Sequence, residues 1–154
     1  MKYSMKVLAA ATLCAAGFSI VPLSALAATS GFSTTNLNLR AGPGVRFPAF
    51  HMVSAGEDVT IHGCVQRYRW CDISLGQARG WASGAYLQFV YDNRRVYVPS
   101  AAFRLGEIPI VSFNISEYWN TYYHDYDFYS ELDTWDDYEW QTEGLPPGWH
   151  DQWD

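Results

Sequence analysis

Asn36-Leu37-Asn38-Leu39-Arg40-Ala41-Gly42-Pro43-Gly44 is the stretch on which the fold turns. Asn36 to Leu39 alternates strictly between polar and apolar residues, the pattern of a strand with one buried face. The glycine-proline cluster then stops it: glycine tolerates positive φ and proline fixes its own φ, so a sharp turn is expected at 42–44. Working downstream, short runs of the same kind recur. Ala49–Val53 reads as a strand closed by Ser54-Ala55-Gly56-Glu57. Val59, Ile61, Gly63 and Val65 share one face of the next run. Trp70–Leu75 follows, then a turn over Gly76–Arg79 and a last run at Gly80-Trp81-Ala82-Ser83. Five short strands within about 60 residues, without a convincing helical period, predict a small all-β barrel or sandwich.

Order and spacing carry a resemblance. Asn36-x-Asn38-x-Arg40-x-Gly42-Pro43-Gly44, Pro48, Ala55-Gly56, Trp70 and Gly80-Trp81-x-Ser83-x-x-Tyr86-Leu87 together resemble the bacterial SH3-like (SH3b) family. The half of the chain that holds these residues also resembles exported proteins with one such domain, a cysteine pair and a Tyr/Trp-rich tail. The tail here departs from theirs after Tyr118-Trp119 in being acidic. The resemblance implies a strongly bent five-stranded barrel that binds rather than catalyses, often beside cell-wall enzymes. Arg40, Tyr68, Trp70, Trp81 and Tyr86 are the groove candidates. Each of these side chains either fills the core or lines a groove, and the sequence leaves both open. The acidic and aromatic motif of eukaryotic SH3 domains is missing, so recognition of polyproline peptides does not follow from the fold name.

Upstream lies an export signal. Lys2 and Lys6 precede an apolar run from Val7 to Ser24, and Ala25-Leu26-Ala27 presents the small-x-small pattern of a cleavage site between Ala27 and Ala28. Pro22 interrupts the run before it reaches the roughly 20 residues of a membrane span. Residues 1–27 are therefore expected to be removed, with no membrane span left, and the protein to be periplasmic or secreted. Both lysines leave with the signal. The remainder has eight arginines against 16 acidic residues, a net charge near −8. Such a balance, with no basic stripe, excludes nucleic acid and anionic membrane surfaces as expected partners.

Export also decides the cysteines. Cys64 and Cys71 remain, and an oxidising compartment favours their pairing across a hairpin that turns at Arg67-Tyr68. A zinc site lacks a second ligand pair at suitable spacing, and no metal or other cofactor is expected. One conflict follows. Val59, Ile61 and Val65 face away from Cys64, whereas Cys71, Ile73 and Leu75 share a face. Pairing 64 with 71 cannot align both apolar sets, so a β-bulge is expected between residues 64 and 72.

Beyond the barrel (28–90), residues 91–116 read as an extension. A hairpin spans Leu87–Tyr91 and Arg94–Val98 with its turn at Asp92-Asn93, and Ile108-Pro109-Ile110-Val111 packs on the barrel. Residues 117–154 hold 11 acidic residues, no Lys or Arg, and 12 aromatics. Three readings compete for this stretch: a largely irregular, solvated tail, an interaction tail whose aromatics stack on a partner, and a divalent-metal site. The metal reading lacks the glycine a calcium loop needs, and His124-Asp125 and His150-Asp151 are isolated pairs. The expectation is a non-enzymatic binding module for a peptidoglycan peptide or an envelope protein. The alternatives are a regulatory protein acting through its tail and, less favoured, a cell-wall hydrolase. A hydrolase of the cysteine type would need a reactive thiol beside a histidine.

Overall fold

The computed structural model describes residues 28–153, so the export signal expected over 1–27 lies outside the described residues. Eight antiparallel strands form one sheet: β1 (Thr29–Ser33), β2 (Leu37–Arg40), β3 (Ala49–Val53), β4 (Asp58–Cys64), β5 (Trp70–Leu75), β6 (Ala78–Ser83), β7 (Leu87–Tyr91) and β8 (Arg94–Tyr97). Their order is β3-β2-β6-β5-β4-β1-β7-β8, so the sheet is open, with β3 and β8 at its edges. The small five-stranded barrel expected from the sequence is therefore not borne out as such: its strands and the expected extra hairpin share one larger sheet that does not close. The difference arises because β1 joins β4 to β7 and carries the ladder on to the hairpin. Inward side chains of β2 to β7 meet in one core with Leu39, Val53, Ile61, Ile73, Leu87 and Phe89 at its centre.

The fold is mainly β but not all-β. Helix α1 (Val98–Leu105) follows β8, with proline in its first turn, and ends at Gly106 in the left-handed region. Helix α2 (Ile115–Tyr122) starts where the Asn114 side chain accepts the Glu117 N–H at 2.9 Å. Helix α3 (Leu132–Trp135) and 3₁₀ turns at Asp127–Glu131, Trp140–Thr142 and Asp151–Trp153 complete the chain. The irregular tail expected over 117–154 is therefore revised to a string of short helical turns.

The β4–β5 hairpin resolves the register conflict. Cys64 pairs with Cys71 and Gly63 with Asp72, yet Ile61 pairs with Ile73, and the ladder shifts between Ile61 and Gly63. The extra residue is His62, which puts the bulge just ahead of the interval predicted. Val59 and Ile61 then share the core with Cys71 and Ile73, Val65 passes to the other face, and the cysteines stay opposite and form the disulfide. Arg67 and Tyr68 take positive φ at the turn. The β7–β8 hairpin turns at Asp92 and Asn93, also at positive φ. Ile108 is buried, and Pro109 and Val111 bond to the backbone of Cys64, so that segment packs on the sheet as expected.

The glycine cluster serves a different purpose from the one anticipated. Neither Gly42 nor Gly44 has positive φ. A Cβ at Gly42 would strike the Phe47 ring at 2.7 Å, and one at Gly44 would strike the Glu143 carboxylate. These glycines make room for close neighbours, one of them from the tail.

Candidate functional site

Strands β5 and β6 lie side by side with Trp70 opposite Ser83, Cys71 opposite Ala82 and Asp72 opposite Trp81. Residues directly opposite share a face. Cys71, Ile73 and Ala82 point into the core, so Trp70, Asp72, Arg79, Trp81 and Ser83 occupy the outer face. An outer face carrring both tryptophans and an ion pair would be costly to leave half wet, and the chain covers it. Phe113, Tyr118 and Trp140 join Val65, Trp70 and Trp81 in a second apolar cluster. Trp119 and Tyr123 from α2 and the residue after it form a third with Ala41 and Phe47. The Trp119 indole N–H donates to the Ala41 carbonyl at 2.8 Å, and the Tyr123 hydroxyl donates to the Arg79 carbonyl at 2.8 Å.

The five groove candidates do not converge. Arg40 donates to the carbonyls of Val45 and Phe47 at 2.8 and 3.0 Å and shapes the 42–47 loop; burial lowers its pKa, with nearby Glu143 opposing. Tyr68 lies in the main core and its hydroxyl donates to the Ile108 carbonyl at 3.3 Å; burial raises its pKa. Trp81 is 1% exposed, packed against Phe113 and Tyr118 at centroid distances of 5.3 and 5.7 Å. Trp70 is 5% exposed but forms a wall of an open cleft of about 630 Å³. Tyr86 is half-buried beneath Gly148. Trp70 and Trp81 thus belong to one covered face, Tyr86 packs against the main core, and Arg40 and Tyr68 support the fold.

Two clefts flank the Val111-Ser112 segment. The first is mainly apolar, walled by Val65, Trp70, Ile110, Phe113 and Trp140, with Gln66, Arg69, Gln141 and Glu143 around it. The second, about 510 Å³, is polar and contains His62, Asp72, Arg79, Glu117 and Tyr118. Asp72 is only 6% exposed, held by Arg79 at 2.7 Å and by the Tyr118 hydroxyl, which donates to it at 2.7 Å. Arg79 also lies 4.4 Å from the centre of the Tyr122 ring. Burial and the Asp72 charge push the Tyr118 hydroxyl far above the ordinary tyrosine pKa. Burial and then Arg79 lower the His62 pKa.

Chemically, Asp72 is committed to two donors and the cysteines are joined to each other. Among the described residues, no group of three or more His, Cys, Asp or Glu is gathered as a metal cage. The arrangement is suited to holding a segment of chain. Sequence reasoning missed Phe113, Trp140, Asp72, Arg79 and Tyr118. Alternation through β5 and β6 would have placed Asp72 and Arg79 beside Trp81, but nothing local announced which segment covers them.

Residues 35–88 match the family described as bacterial SH3 domain. The match runs from just before β2 into β7 and takes in Trp70, Trp81 and Tyr86. The chain therefore contains a bacterial SH3 domain, to which β8, the helices and the acidic segment are added. No curated protein matches the chain.

Proposed function

We propose that the protein is an exported, non-enzymatic binding module that holds a peptide of the cell wall, or an extended segment of an envelope protein, in the cleft beside Trp70 and Trp140. The observation that carries this reading is the cleft itself. Its apolar aromatic walls fit side chains of a peptide, and Gln66 and Gln141 lie beside them for its amides. The SH3 domain supports a binding role, and the signal-like N-terminus supports a place in the periplasm or outside the cell. The site needs no cofactor.

The test is retention of the purified protein on isolated peptidoglycan. Trp140 is half-buried at the cleft, whereas Trp81 is a core residue whose loss would confound the result. Trp140→Ala is expected to lower retention at least about 30-fold, the effect of losing a tryptophan anchor of 2 kcal/mol or more. Near-UV circular dichroism shows that the fold survives. Absence of wild-type retention removes the cell-wall version and leaves an envelope protein as the partner, to be captured by crosslinking at position 140.

A further inference from the structure

Ser83 lies opposite Trp70 on the outer face, and the chain's own residues 146–149, Pro-Pro-Gly-Trp, lie across Ser83 and Tyr86. The Ser83 hydroxyl donates to the Pro147 carbonyl at 2.8 Å. Gly148 has φ +78° and rests on the Tyr86 ring, so that an added Cβ would come within 2.7 Å of the Tyr86 hydroxyl. The Arg69 guanidinium sits 5.8 Å from the centre of the Trp149 ring. Each contact uses a property of this segment. Prolines keep it extended and leave no N–H to satisfy, a glycine allows close passage over an aromatic ring, and an indole faces a cation.

The hold is light compared with that of α2. Trp119 and Tyr123 are almost wholly buried, while in 144–149 only Pro146 is, and Leu145 is 45% exposed. The Trp149 indole N–H is buried without a hydrogen-bond partner, so the fit is imperfect. Open space also remains on both sides: the Trp70 cleft reaches Arg69 and Gly144, and a cleft of about 300 Å³ borders Tyr86, Gly148 and Trp149.

We infer that Arg69, Ser83 and Tyr86 form a peptide subsite for extended Pro-Gly-aromatic segments, occupied in this structure by residues 146–149 and gained by an external ligand through displacement of that strap. The inference deepens, and rests on, the reading of the domain as a peptide-binding module. A tethered occupant competes at an effective concentration on the order of millimolar, so a free peptide meets a nearly closed subsite in the wild-type chain.

The test uses the full chain and a fluorescent peptide with the sequence of residues 144–153. In the Gly148→Val variant the valine cannot take the glycine's φ or pass Tyr86, so the strap is released. This variant is expected to bind the peptide at least about 10-fold more tightly than wild type, and a further Ser83→Ala change is expected to weaken that binding. A natively folded Gly148→Val chain that fails to bind, or a wild type that binds equally well, overturns the inference. Should Gly148→Val fail to fold, Trp149→Ala removes the contact with Arg69 without backbone strain and is judged by the same two outcomes. The assay uses neither peptidoglycan nor Trp140. Loss of cell-wall retention with peptide binding intact therefore counts against the proposed ligand, and the reverse pattern counts against the strap.

Discussion

Asp72 illustrates how much of the site lives in single residues. It is an acid on an outer strand face, where solvent would ordinarily keep it cheap, yet the chain buries it and satisfies it with Arg79 and Tyr118. Asp72→Asn keeps the shape and removes the charge that both donors address. The expected loss is about 1.5 to 3 kcal/mol by urea unfolding, toward the lower end because the Arg79 side chain is 28% exposed. Tyr118 and Tyr123 give a second test, at alkaline pH. Burial, and then the charge of Asp72, raise both hydroxyls above the ordinary value of about 10. The unfolded chain loses these protons near pH 10 while the folded chain keeps them. Stability must therefore fall as pH rises past about 10, and Tyr118→Phe must make that fall shallower. Absorbance at 295 nm followed through alkaline unfolding measures it; a native titration of every tyrosine near pH 10 contradicts it. Residues of this kind were only half legible. Trp70 and Trp81 stood out in the sequence, but whether they line a groove depends on Phe113 and Tyr118, dozens of positions away.

Among the elements, the β4–β5 hairpin was the most readable, because parity is a strict constraint. Two apolar sets and one cysteine pair could not share a regular ladder, so a bulge was required, and its placement at His62 rather than beyond Cys64 leaves the disulfide inside regular pairing. Replacing both cysteines by alanine is expected to cost roughly 2 to 3 kcal/mol, measured as a lowered urea midpoint with an unchanged slope. An unaltered midpoint would mean that the surrounding core, with Ile61, Ile73 and Tyr68, closes the hairpin by itself. The helices were harder to read. In α2 only Ile115 and Trp119 are buried, with Tyr123 just beyond its end, too few apolar positions over two turns to announce a period among so many aromatics. Strand β1 escaped notice for a related reason: Thr29–Ser33 contributes few apolar side chains, and its place is set by backbone pairing with β4 and β7.

On the scale of the whole molecule, the acidic segment is a wall of the structure. Its charge and its aromatic content point in opposite directions when read as composition: carboxylates favour solvation, rings favour burial. The structure separates them in space. Asp125, Asp127, Asp133 and Asp137 are exposed, while Trp119 and Tyr123 are buried and Phe128 and Trp135 pack beside them against Phe47 and Phe50. That partition could not be read from a segment without a regular period, since it depends on which rings meet the SH3 domain. It changes how the segment must be probed. Removing residues 117–154 would uncover Ala41, Phe47, Trp70 and Trp81 together, so loss of ligand binding in that deletion would not show that the segment binds anything. A single change is more informative. Trp119→Ala removes a fully buried ring and leaves the Ala41 carbonyl without its indole donor. The expected loss is about 3 to 5 kcal/mol. Because the ring bridges segment and domain, thermal unfolding followed at tryptophan fluorescence and at far-UV circular dichroism should shift together in this variant. If only the fluorescence transition moved and the sheet melted as in wild type, the segment would be a separately folding attachment, and the SH3 domain would have to be stable with its outer aromatic face bare.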